Sequence, residues 1–175
     1  MVEVLHLAAV FPATVGLCCA VGDRRGGARS VVPAAVMLLA MVAMAVGLPG
    51  VRSLAWAGVL VVLGIVASVG LRRGADSAAP LHARRMQLHR ALGLVLGAAL
   101  LLVGAHPVTE LEPGHPGHPG GMLLAATLAG SAGYLVFTVW LVAASVSRRA
   151  RIVGIVESSA MGLMTMLMAL VPLVG

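Results

Sequence analysis

Residues 151–175 read RIVGIVESSAMGLMTMLMALVPLVG, and the reading of this stretch decides the fold. After Arg151 it holds one charged residue, Glu157, in an otherwise apolar or weakly polar run. A hydrocarbon core of about 30 Å is crossed by about 20 apolar residues in a helix, so the stretch predicts a membrane span. At about 100° per residue, Glu157, Met161, Met164 and Met168 fall within roughly 60° of one another. One face of the helix is therefore a carboxyl followed by three thioethers. A carboxylate among acyl chains costs at least about 2.5 kcal/mol, so Glu157 should face protein or water rather than lipid. That makes it the leading candidate for an ion or proton site.

The rest of the chain has the same character. Of its 175 residues 60% are hydrophobic and 10% charged, and the mean hydropathy is +1.04. These values exclude an ordinary soluble domain. Five further apolar runs precede the last, giving predicted helices over residues 4–21, 31–48, 53–71, 88–105, 122–145 and 152–174. An interfacial turn near Leu81 could lead into the fourth. Pro49-Gly50 ends the second, because proline cannot continue a helix. The expectation is an all-α, polytopic membrane bundle of six transmembrane helices, a single domain over residues 1–175.

All 12 basic residues are arginine, which together with the abundance of Ala, Val, Gly and Leu suggests a GC-rich bacterial source. In a six-span arrangement 11 of the 12 arginines fall on one side and only Arg52 on the other. Basic loops stay cytoplasmic, so both termini are expected outside. The net charge of +6 is accounted for by this sorting, without nucleic acid. Arg24 and Arg25 follow the first apolar run rather than precede it, so the run is expected to be retained as a helix and not removed as a secretory leader. Cys18 and Cys19 are adjacent and lack the C-x-x-C spacing, which points to buried small residues. Trp56, Tyr134 and Trp140 are candidates for an interfacial aromatic belt.

Three stretches repeat one spacing. Met37, Met41 and Met44 on helix 2, His82, Met86 and His89 at the start of helix 4, and Met161, Met164 and Met168 on helix 6 each occupy one helical face. Thioethers and imidazoles suit Cu(I), so Met41, His89, Met161, Met164 and Met168 are candidate copper ligands, with Glu157 at the inner mouth. Three apolar residues at helical spacing are also what any packed face looks like, with methionine as gap-filler. For Glu157 the structural alternative is a pair with His89 or Arg90 on helix 4, assisted by Ser158 and Ser159.

Between helices 4 and 5, residues 106–121 form a basic-free loop with His106, Glu110, Glu112, His115 and His118 and two Gly-His-Pro triplets. In polyproline II geometry His115 and His118 point the same way about 9 Å apart, too far for one ion to bridge unless Gly117 bends the strand. A solvated linker, or a weak metal-binding or pH-responsive loop, fits this composition. Gly93-x-x-x-Gly97 and Ala126-x-x-x-Gly130, with Gly133 nearby, allow close helix approach within the bundle or between copies. Haem fits poorly, since His6 and His106 would be its axial pair and both stand at helix ends. No hydrolase or phosphate-loop motif occurs.

The stretches Met37 to Met44, Met86-Gln-Leu-His89 and Ser158-Ser-Ala-Met161 onward to Met168 resemble those of an actinobacterial family of small polytopic membrane proteins with His- and Met-bearing helices. The likeness covers most of the chain. Where that family's pattern has a histidine before the methionines of the last helix, this chain has Ser158. The resemblance implies a multi-pass plasma-membrane protein and assigns no activity.

Three functions are compatible with these residues. The first is a non-enzymatic accessory or interaction subunit without a cofactor, partnered by the bilayer and by another membrane protein or further copies of itself. The second is a copper-binding or copper-handling protein using the Met/His stripes. The third is a small proton-coupled transporter using Glu157.

Overall fold

A computed structural model describes residues 2–22, 28–46, 53–73, 81–104, 119–144 and 148–174. They form six helices and no strand among the described residues: α1 (Val2–Gly22), α2 (Ala28–Val46), α3 (Ser53–Arg73), α4 (Leu81–Gly104), α5 (Pro119–Ala143) and α6 (Arg148–Val174). Four contain stretches long and apolar enough to cross a membrane, in α1, α4, α5 and α6. The apolar stretches described in α2 and α3, Ser30–Val46 and Ser53–Val69, are shorter. At 1.5 Å per residue each rises about 25 Å, slightly less than the hydrocarbon thickness.

Several helices begin earlier than their hydropathy indicates. α4 starts at Leu81 rather than Leu88, α5 at Pro119 rather than Met122, and α6 at Arg148 rather than Ile152. The cause is that a helix does not stop where apolarity stops. Ala, Arg, Met, Gln and Leu in the first two turns of α4 are all good helix formers, and a proline fits the first turn of α5, where its missing N–H would be unbonded anyway. α2 runs from Ala28 rather than Val31, and its expected last residues, 47 and 48, lie outside the described residues.

Side-chain ties set the relative helix directions. Ser30 Oγ at the start of α2 donates a long hydrogen bond (3.5 Å) to the Ala20 carbonyl near the end of α1. Gln87 Nε2 early in α4 donates to the Ala67 carbonyl late in α3 at 3.3 Å. These pairs are antiparallel, whereas Arg90 meets Glu157 at equal distances from the starts of α4 and α6, which run parallel. The starts of α2, α4 and α6 thus share one end of the bundle with the ends of α1 and α3. All nine described arginines belong to those segments, at positions 29, 72, 73, 84, 85, 90, 148, 149 and 151.

α4 packs against α2, α3, α5 and α6, and α6 also against α1 and α5. α4 and α6 are accordingly the enclosed helices: 56% and 50% of their spans are buried, against 28% in α1 and 22% in α5. The core joins Met37, Met41, Leu60, Leu94, Leu101, Met164 and Met168 from four helices. The exterior is apolar, with Phe11, Val62, Val66, Val136 and Val139 all exposed. In water this would be an aggregating surface; in a bilayer it is the lipid-facing one, and the protein is a membrane protein. Helix hydroxyls suit that solvent, since those of Thr14, Ser68, Thr127, Ser131, Thr138 and Thr165 each donate to the carbonyl four residues earlier, so these six donors are satisfied within their own helices.

Candidate functional site

The intramembrane acid is bound by an intramembrane base. Arg90 Nε donates to Glu157 Oε1 at 2.6 Å and Nη2 to Oε2 at 2.9 Å. The side chains are 17% and 5% exposed, respectively. The planar guanidinium presents two parallel N–H groups that match the carboxylate edge, which a lysine could not do. The sequence offered His89 and Arg90 as partners, and the structure selects Arg90. Ser158, expected to add a hydrogen bond, is fully buried, and its hydroxyl has no hydrogen-bond partner among the described residues.

Beside this pair lies a partly open cavity of about 40 Å³ between α1, α2, α4 and α6. Ser30, Arg90 and Glu157 form its polar wall, and Met37, Met161 and Met164 with Leu94 an apolar one. The in-helix prolines Pro12 and Pro33 also line it. Each removes one backbone hydrogen bond from its helix. The space suffices for a small occupant of the size of water or a bare ion.

Gly93 and Gly97 form the sockets for two of these thioethers. A Cβ at Gly93 would come within 2.8 Å of Met161 Cε and 2.9 Å of the Tyr134 hydroxyl. A Cβ at Gly97 would collide with Met37 Cε and lie 3.3 Å from its sulfur. This glycine pair therefore admits side chains of α2, α5 and α6 within the bundle. On α5, Gly130 faces Leu96 of α4, whereas a Cβ at Gly133 would meet nothing within 4 Å.

His89 turns away from Glu157 toward α5. Its Nε2 lies 2.9 Å from Thr138 Oγ1, whose own proton is committed to the Tyr134 carbonyl at 2.8 Å. A hydroxyl has one proton, so His89 Nε2 carries the hydrogen and donates. Nδ1 faces the Tyr134 hydroxyl at 3.4 Å, which also reaches Met161 Sδ at 3.8 Å. The imidazole and phenol rings stack with centroids 4.6 Å apart. A polar thread thus runs from α5 through His89 and Tyr134 to the cavity-lining Met161. Below it, Arg85 lies over the Trp140 ring, 4.6 Å from its centroid, a cation–π contact at the arginine-rich end.

Of the candidate copper ligands, Met161 and Met164 reach the cavity. Met41 and Met168 are in the apolar core with Met37 and Met164, so the stripes of α2 and α6 converge. His89 has a hydroxyl at each ring nitrogen. Met37 completes the thioether wall; its sequence signal was membership of the helix 2 stripe, and only packing distinguishes it from Met41. Tyr134, proposed for the interfacial belt, is instead 4% exposed and internal. Tyr134 and Thr138, spaced one turn apart, are the functional-site residues that hydropathy misses, because neither is charged. Cys18 is exposed rather than buried, and Cys19 is half-buried. His106, His115 and His118 lie outside the described residues, as does Arg52.

Compared with protein families, with curated proteins and with solved structures, the chain matches none.

Proposed function

We propose that the chain is a multi-pass protein of a bacterial plasma membrane, crossing it six times with both termini outside, and that it acts without catalysis as an accessory or interaction subunit. The arginine sorting and the likeness to small actinobacterial membrane proteins support the location. One observation carries the function: only 22% of the α5 span is buried, and between its exposed larger residues Leu123 and Val136 it turns a run of small ones outward, Ala125, Ala126, Ala129, Ala132 and Gly133. A helix built only to meet lipid gains nothing from small residues, whereas one that receives another helix needs them for close backbone approach. The engagement of Glu157 by Arg90 favours this reading over proton-coupled transport, which would require the pair to open in every cycle.

The test is a photo-crosslinking side chain at Ala129, compared with one at the equally outward Val62 of α3. The expected result is a heavier species from position 129 alone, abolished by Gly133→Leu, with mass spectrometry identifying its second component as another membrane protein or a further copy. Only the monomer from both positions overturns the proposal.

A further inference from the structure

The cavity beside the Arg90–Glu157 pair carries a second, independent reading. Its apolar lining, otherwise Leu94, two prolines and small residues, carries three thioethers, Met37 from α2 and Met161 and Met164 from α6. Two of them are held from α4. Gly97 takes the end of Met37 and Gly93 the end of Met161, and positions four apart on a helix place those sockets about 5 to 6 Å from each other. Met161 is further oriented by the Tyr134 hydroxyl, whose single proton lies between His89 Nδ1 at 3.4 Å and the Met161 sulfur at 3.8 Å, a contact that leaves a sulfur lone pair available. Met164 follows Met161 by three residues on the same face and borders the same space.

We infer that this cavity is a binding site for a soft monovalent cation of the Cu(I) class, held by the sulfurs of Met37, Met161 and Met164. Neutral thioethers bind such ions and discriminate against harder divalent metals, which prefer nitrogen and oxygen. Among the described residues no group of three or more His, Cys, Asp or Glu side chains is placed to hold a metal, so hard-metal chemistry has no competing site there. Methionine has three rotatable bonds, so three sulfurs around a 40 Å³ space can close on an ion without moving a helix. The facing polar wall holds Glu157 already neutralised by Arg90, so the pair adds no net charge and the thioethers carry the binding.

The experiment uses Ag(I), a redox-inert probe of the same class, titrated into the full chain in lipid nanodiscs, with Cu(I) as competitor. One Ag(I) per chain, displaced by Cu(I), is expected. Met37→Leu, Met161→Leu and Met164→Leu, singly, should each weaken binding by at least about tenfold, while Met166→Leu on the exposed face leaves it unchanged. Leucine matches methionine in volume, and helical circular dichroism with a thermal melt establishes that each variant is folded. X-ray absorption on the Cu(I)-loaded wild type needs no variant, and sulfur neighbours without imidazole are expected. No retained Ag(I), retention unchanged in the three variants, or imidazole coordination overturns the assignment.

Discussion

Arg90 and Glu157 form a two-bond ion pair, each at the tenth residue of its helix, α4 or α6. The pair therefore fixes the depth of the two most enclosed helices against each other. It is also the kind of interaction whose loss is asymmetric. Two charges removed from water together are tolerable, but one left alone is not.

Glu157→Gln should destabilise the protein by about 3 to 5 kcal/mol, because it leaves the guanidinium buried without a counter-charge. The double variant Arg90→Met, Glu157→Leu should recover most of that loss, since apolar side chains of similar volume suit the site. Thermal melting in a constant detergent distinguishes the two. Equal melting temperatures for wild type and Glu157→Gln would show the pair to be dispensable.

The same pair shows what the sequence could and could not reveal. An acid inside an apolar run announces that it needs a partner, and the depth of α4 narrowed the choice to His89 or Arg90. Neighbouring residues differ by about 100° in direction, and only the packing of α4 against α5 and α6 decides which one faces Glu157. Helix number was legible from hydropathy, while the starts of α4, α5 and α6 were not, because polar helix formers extend a helix past its apolar part. The Met stripes were legible as faces. Which thioethers reach a cavity rather than the core depends on where Gly93 and Gly97 open space.

Those glycines make a graded prediction. At Gly64 an added methyl would meet Val95 Cγ2 at 2.8 Å and the Ala91 carbonyl at 3.3 Å, neither of which can yield. Gly64→Ala should cost about 1 to 3 kcal/mol by forcing α3 from α4. Gly93→Ala displaces the hydrogen-bonded Tyr134 and should fall in the same range. Gly97→Ala need only move the flexible end of Met37 and should be near neutral. A melting series that ranks Gly97→Ala worst contradicts this packing.

Thr138 tests the His89 network. Thr138→Val keeps the shape but removes the acceptor of a fully buried imidazole N–H, so it should cost about 1 to 3 kcal/mol. Thr138→Ser retains the oxygen and should cost much less. Nitrogen-15 shifts of His89 in the wild type should show the hydrogen on Nε2. A hydrogen on Nδ1 alone would contradict the donor assignment.

Ser158 reverses the usual sign of a core substitution. Its hydroxyl is fully buried and has no hydrogen-bond partner among the described residues, so it bears a desolvation penalty that no hydrogen bond offsets. Ser158→Ala removes that oxygen at the cost of a very small void. It should leave the melting temperature unchanged or raise it, in contrast to Thr138→Val. Ser158→His inserts a ring where the side chain has no exposed surface, and overpacking should lower stability by about 1 to 3 kcal/mol. Together the two variants locate the effect. A marked loss in Ser158→Ala would mean that the hydroxyl is bonded after all, and a stable Ser158→His would mean that the packing around α6 leaves room the structure does not show.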